Sequence, residues 1–393
     1  MRTFKQMLPL LAAIVALQLI FRFGGPYFWI DGFHWWPGIE TFWGPENQID
    51  IVQQVSVNAI IAFGMTLVIL IGGIDLSVGA LLALVGTTTV YVLAAGNFEA
   101  GDSALLSWTL LALGFVAALG MAAAFTAFNC LDVVRSRGAR GWLMAVLFVW
   151  TLGYVLAGGF PGVHGAMRLA AAILAGVGIA AAFGAFNGVA AAKTPMPPFI
   201  ITLATMLIAR GCALSYNKGL PMRIPDEETV FLTLGNGRLF GVVPVPVIVM
   251  LTLFAVAAVL LHRTRFGQHL YAMGGNREAA RFTGIPLVRT GIAVYVICSL
   301  LTAVAGMIHT SQLYSAEPGS GEMFELNAIA AVVVGGTSFT GGKGTMFGTL
   351  IGAIIIGILD KGLNQAGVHY SLQYIVKGSV ILAAVYLDVR RRR

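Results

Sequence analysis

The sequence predicts an all-α polytopic membrane protein with about ten to twelve transmembrane helices and both termini in the cytoplasm. Three observations carry that prediction. Hydrophobic residues make up 58% of the chain and charged residues only 10%, where a typical soluble domain is about 25% charged. The apolar residues fall in long runs, and a bilayer core of about 30 Å requires roughly 20 of them per helix. Basic residues collect in alternate loops. A β-barrel would show short segments of alternating hydrophobicity instead, and the chain has no such pattern.

Twelve runs qualify as spans. The first, 7–23, follows a basic lead (Arg2, Lys5). No small-residue cleavage site stands behind it, so it reads as an uncleaved span rather than a signal peptide. Runs 51–71 and 76–95 flank the segment GGIDLSVG (72–79). Runs 104–129 and 142–159 flank the basic loop RSRGAR (135–140). Runs 167–191, 197–214, 244–262 and 290–313 follow, and 326–341, 345–363 and 370–388 close the chain. Some are short or interrupted by glycine, which predicts that a few are half-helices or merge with a neighbour.

The charges orient these spans. With the N-terminus inside, the cytoplasmic segments hold two basic residues at the N-terminus, three in 135–140 and Lys193. They also hold five arginines in 262–290, Lys343 and Arg390 to Arg393, making sixteen of the 24 basic residues. The opposite loops hold twelve of the 17 acids, from Asp31, Glu40, Glu46 and Asp50 through to Glu325. This positive-inside bias fits an even number of spans, and the aromatic stretch from Tyr27 to Trp43 fits an outer interfacial belt. The formal charge of +7 is therefore loop charge, and no nucleic-acid partner follows from it.

Catalytic signatures are absent. The six histidines show no metal-ligand spacing, and neither HExxH nor GxSxG occurs. Cys130, Cys212 and Cys298 read as small apolar packing residues. The loop GGTSFTGGKGT (335–345) looks like a phosphate loop but fails it at both ends: Thr337 stands where the first glycine belongs, and Gly344 follows Lys343. An ATP-driven mechanism would need another chain to bind the nucleotide. No metal or cofactor is expected, and an enzyme is not.

Two groups of residues are candidates for function. Gln53, Asn58, Asp75, Ser77 and Asn327 lie within or beside spans and could line a path for a polar solute. Each also has a purely structural reading: amides and hydroxyls join membrane helices, and Asp75 suits the N-cap of the helix that follows it. Lys377 sits inside its span and needs a partner such as Asp360 or a route to the interface. Arg210, near the outer end of its span, reads as snorkelling. The second group is the segment 263–289, whose EAARF stretch forms a short helix that Gly284 ends in a left-handed turn and Pro286 prevents from continuing. A weak repeat also appears: 58–86 aligns without gaps on 327–355 with eight identities in 29 positions. It is either chance among glycine-rich helices or the duplication seen in many transporters.

The chain resembles the permease subunits of ABC-type monosaccharide importers, the ribose, xylose and galactose group related to branched-chain amino-acid permeases. The resemblance rests on QQVSVNAIIAFGMTLVILIGGIDLSVGALLAL, PPFIITLATMLIARG, TRFGQHLYAMGGNREAARFTGI, ELNAIAAVVVGGTSFTGGKGTMFGTLIGAIIIGILDKGLN and QYIVKGSVILAAVYLD, in that order. IDLSVG points to the sugar branch. The resemblance implies a type II-like importer fold in the bacterial inner membrane, one permease domain over 1–393 and a permease homodimer. It also implies a cytoplasmic ATPase subunit and a periplasmic or lipid-anchored sugar-binding protein as partners. It implies further that the loop carrying Gly274, Gly275, Asn276, Glu278, Ala279, Ala280 and Gly284 docks in the ATPase. Members usually have about ten spans, so the resemblance marks 130–170 as a two-span insertion, which we expect at the periphery. The rival reading is an ion-coupled secondary transporter, for which only Asp75 and Lys377 are candidate ionisable groups at mid-membrane.

Overall fold

The computed structural model describes residues 2–29, 32–37, 40–94 and 165–390. The expected spans 104–129 and 142–159, the loop 135–140 and most of the proposed insertion 130–170 lie outside the described residues. The other ten expected spans all coincide with helices, and six of the described helices are long and apolar enough to cross a membrane.

Helix α1 (Arg2–Phe23) leads into a hairpin of β1 (Gly24–Trp29) and β2 (Gly32–Pro37). Helix α2 (Pro45–Leu70) then runs back through the bundle and α3 (Val78–Ala94) returns. Helices α4 (Gly165–Lys193) and α5 (Pro198–Ser215) form the next pair. A surface segment carries β3 (Met222–Arg223), the short α6 (Thr229–Asn236), β4 (Arg238–Leu239) and β5 (Val243–Pro244). Helix α7 (Val245–Arg263) leads to two short helices, α8 (Arg265–Gly275) and α9 (Arg277–Phe282). The chain ends with α10 (Leu287–Gln312), β6 (Ser315–Ala316), α11 (Phe324–Val334), α12 (Met346–Gln365) and α13 (Tyr370–Arg390).

Helix α10 is the axis of the bundle and packs against α2, α3 and α4. Its most apolar stretch and that of α2 are 78% buried within the protein, against 28% for α5 and α7. Lipid tails are as apolar as leucine and do not drive helices together, so close packing of small residues takes over that role. Gly64 of α2 abuts the Cys298 backbone of α10, and Gly188 of α4 abuts that of Ile292. Thr66 and Thr349 share a buried hydroxyl contact of 2.7 Å that ties α2 to α12.

Two spans are shorter than the sequence suggests. The run 326–341 was expected as one span, but the helix stops at Val334. Eleven residues rise about 16 Å at 1.5 Å each, roughly half a bilayer core. It stops because the following loop turns at Gly336, Gly341 and Gly342, with φ of +86, +88 and +72°. Helix α3 also begins inside the bundle. Gly73 lies opposite Tyr295 and Leu82 opposite Gly306, so the elbow and first turn climb about 16 Å along α10. There α3 meets the loop 313–323, whose Gly321 packs on the Gly79 carbonyl. Irregular backbone at membrane depth is tolerated where protein covers it.

The repeat recurs in the structure. Shifted by the alignment offset, α3 falls on α12 and the elbow after α2 falls on the loop after α11. Both connections turn at aligned glycines, Gly72 (φ +77°) and Gly341 (φ +88°). The Gly342 amide also donates to the Leu70 carbonyl at 2.9 Å, which joins the two connections directly.

Candidate functional site

The segment 263–289 folds as two short helices on the side to which the charge pattern assigns the cytoplasm. Thr264 caps α8 by accepting from the Gly267 amide. Asn276 caps α9, its side-chain oxygen accepting from the Ala279 amide at 3.0 Å. At the other end Gly284 takes φ +81°. Its amide donates to the Arg281 carbonyl at 3.1 Å and the Ile285 amide to that of Ala280 at 3.2 Å. That pair of bonds is the Schellman arrangement, and α9 is fixed at six residues. Ala280 is buried beneath it, whereas Glu278, Ala279 and Phe282 face outward, Phe282 at 89% exposure. A bulky apolar side chain four residues after an exposed carboxylate puts both on one helix face.

Immediately before α9, the chain touches both connections of the repeat. A Cβ on Gly274 would overlap the Leu70 carbonyl oxygen and the Gly342 amide nitrogen. Gly341 and Gly342 in turn lie against the backbone of Gly274 and Gly275. The Tyr271 hydroxyl donates to the Gly344 carbonyl at 2.7 Å, and burial raises the phenol above its usual range. This junction of three backbones has no room for a side chain at Gly274, whereas a Cβ at Gly275 would meet open space. Gly274 and Gly275 were singled out as part of the loop; their contact with Leu70 and Gly342 lies two hundred residues away in one direction and about seventy in the other, beyond what local patterning reports.

The elbow itself carries Asp75. It is 0% exposed, and one carboxylate oxygen accepts from the Ser77 amide at 2.9 Å and the Ser77 hydroxyl at 2.6 Å. The Leu81 amide bonds the Ser77 carbonyl, so Ser77 rather than Asp75 opens α3, and Asp75 braces that opening from two residues away. Asn187 of α4 donates to the Ser77 hydroxyl at 3.0 Å, and Thr202 of α5 bonds the Ile74 carbonyl. Four buried polar atoms in and around this region have no hydrogen-bond partner: Asp75 Oδ2 on the elbow, Asn187 Oδ1 on α4, Tyr295 Oη of α10 beside Gly73, and Ser299 Oγ of α10 beside Gly184 of α4. Native interiors rarely leave such groups unpaired.

Residues 143–385 match the family described as branched-chain amino acid transport system / permease component. The chain belongs to that family. It is 40% identical over 351 residues to the ribose import permease protein of Bacillus subtilis (strain 168), covering 89% of this chain and 87% of that one. It is 38% identical over 354 residues to the ribose import permease protein of Escherichia coli (strain K12), covering 90% and 88%. The xylose transport system permease protein of the same strain is 30% identical over 407 aligned positions, covering 99% of this chain and 93% of that one. No solved structure matches the chain significantly. A family permease is a multi-pass inner-membrane transporter subunit and not an enzyme, in keeping with the absent catalytic signatures.

The remaining sequence candidates scatter. Gln53 donates to the Gly235 carbonyl at 3.0 Å and so holds α2 to α6, the structural reading of that residue. Asn58 is half-buried with an unpartnered side-chain oxygen. Asn327 sits at 3.5 Å from Asp360, which pairs with Lys377 at 3.0 Å. The Lys377–Asp360 expectation is thus met, and snorkelling is not needed there. Arg210 does not snorkel either: it donates to the Pro318 and Ser320 carbonyls at 2.6 and 2.8 Å and pins the loop 313–323. Asn187, Tyr295 and Ser299 were not placed with Asp75 by sequence. Only Asn187 carried a signal, as an amide inside a span.

Proposed function

We propose that this chain forms the translocation path of an ATP-driven importer for a monosaccharide and works as a homodimer. Its partners are a cytoplasmic ATPase subunit and a periplasmic or lipid-anchored sugar-binding protein. The observation that carries the reading is the similarity over most of the chain to permeases named for ribose, allose and xylose. The capped helix α9 supports it, because its outward Glu278 and Phe282 suit a docking cleft on a motor that this chain does not itself supply.

The coupling follows from the junction. ATP binding on the partner displaces α9. The displacement passes through Gly274 to the Leu70 carbonyl and the Gly342 amide, and both connections shift together. The elbow holding Asp75 and Ser77 moves with them, so the polar seam of Asp75, Asn187, Tyr295 and Ser299 changes its access. The unused donors and acceptors of that seam suit the hydroxyls of a sugar. Asn58 and Asn327 are placed on the same path by this reading.

Uptake of labelled ribose, xylose and allose into proteoliposomes containing the permease, its ATPase and its binding protein tests the proposal. ATP-dependent uptake of a sugar is expected. Uptake driven by an ion gradient with no ATPase present would overturn it in favour of a secondary transporter. Glu278→Arg is expected to abolish uptake while leaving membrane insertion and ATP hydrolysis in place. Wild-type uptake in that variant would remove α9 from the coupling role.

A further inference from the structure

Behind the outward face of α9 lies an open cleft of about 520 Å³. Three guanidinium groups line it, Arg277 and Arg281 from α9 and Arg289 from the first turn of α10. All three are exposed, and none is within ion-pair distance of a carboxylate among the described residues, where the pairs belong to Arg168, Arg223, Lys361 and Lys377. Three like charges on one cleft repel one another unless an anion joins them. The rest of the lining is apolar, with Ile285, Leu287 and Val288 facing Ala192.

The height of the cleft is set by the two helices that floor it. Ala192 is next to the last residue of α4, and Leu287 opens α10. The two helices run antiparallel with Gly188 against Ile292 and Ala192 against Gly291. Both therefore end together at the cytoplasmic boundary, where the headgroups of the inner leaflet lie. Arg277 and Arg281, four residues apart on α9, line the cleft, and the exposed Glu278 and Phe282 are not part of its lining.

We propose that this cleft seats the headgroup of an anionic phospholipid from the inner leaflet. The planar guanidinium fork matches phosphate oxygens two at a time, and basic pockets at the cytoplasmic ends of membrane helices suit such headgroups. Ile285, Leu287 and Val288 cover the glycerol and the start of an acyl chain. The bound lipid tethers α9 to the ends of α4 and α10.

Native mass spectrometry of the full-length permease with added phosphatidylglycerol or phosphatidylcholine reads this directly. Wild type is expected to retain phosphatidylglycerol, and Arg277→Gln/Arg281→Gln/Arg289→Gln to retain at least tenfold less, with phosphatidylcholine retention unchanged. Arg289→Gln alone, outside α9, is expected to reduce retention several-fold, and Arg289→Lys to restore part of it. The single variants decide the matter if the triple variant fails to fold. Equal retention of phosphatidylglycerol by wild type and Arg289→Gln would overturn the site. So would unchanged lipid retention combined with loss of the ATPase on co-purification, which would assign the cleft to a protein partner. Sugar uptake is a separate readout, so failure here leaves the import reading standing.

Discussion

The two connections of the repeat, 71–77 and 335–345, are built alike and anchored differently. Each follows a helix that ends at the cytoplasmic side, each turns on glycine, and each leads into a helix that returns outward. The first is anchored in the bundle. Asp75 and Ser77 bond to each other, Asn187 reaches Ser77 and Thr202 reaches Ile74. The second is anchored to the segment 263–289, through Tyr271 to Gly344 and through the contact of Gly341 and Gly342 with Gly274. Its own turn is closed by the Ser338 amide on the Lys343 carbonyl at 2.8 Å, and Thr345 caps α12. The two connections are thus alike in backbone and different in anchorage; under the proposed coupling the first borders the path and the second receives the force, and the Gly342–Leu70 bond links them.

Breaking that link has the largest expected effect. Gly274→Val forces backbone apart from backbone at three points, and overpacking of this kind costs about 1–3 kcal/mol. We expect uptake to fall more than tenfold in proteoliposomes while the amount of inserted protein changes little. Near-normal uptake would mean that the junction transmits nothing. Next in size is Ser77→Ala, which strips Asp75 of a donor and leaves Asn187 without its partner. Unpaired buried groups cost about 1–3 kcal/mol, so a clear drop in thermal stability in detergent is expected.

Asp75→Asn sharpens the contrast, because it keeps an acceptor for Ser77 and removes the charge. A purely structural brace predicts unchanged stability and unchanged transport. Placement on the path predicts unchanged stability with reduced uptake, which is the outcome we expect. Asn276→Ala removes only the cap of α9, about 0.5–2 kcal/mol for that helix. Its effect should appear as weaker stimulation of the ATPase rather than lower stability of the whole protein. Tyr271→Phe deletes one hydrogen bond of about 0.5–1.5 kcal/mol, and a small fall in coupling is the smallest change expected here.

The sequence made some parts of this plain and hid others for physical reasons. Hydrophobic run length located ten helices because a membrane helix must satisfy its own backbone wherever it sits. The end of α9 at Gly284 was readable because the left-handed turn is a local requirement. The early stop of α11 was foreshadowed only by glycine interruptions, since the Gly, Thr and Ser residues after Val334 are near neutral in hydropathy and do not fix where the helix turns. Asp75 stood out as a lone acid between spans. Its surroundings did not, because Asn187, which bonds Ser77, and Tyr295, which lies beside Gly73, come to the elbow only through the packing of α4 and α10. Arg210 was misread for the same reason: the loop that it holds dips into the bundle from a distant part of the chain.

The shortness of α11 also bears on how the protein is made. Eleven residues do not span a bilayer core, so this segment has no means of inserting alone. Its stability in the membrane depends on α12, against which Gly335 meets Gly348 and Ala331 meets Gly352. Packing against α12 therefore fixes α11 and, through the loop between them with its exposed Lys343, the position of the connection that meets the segment 263–289.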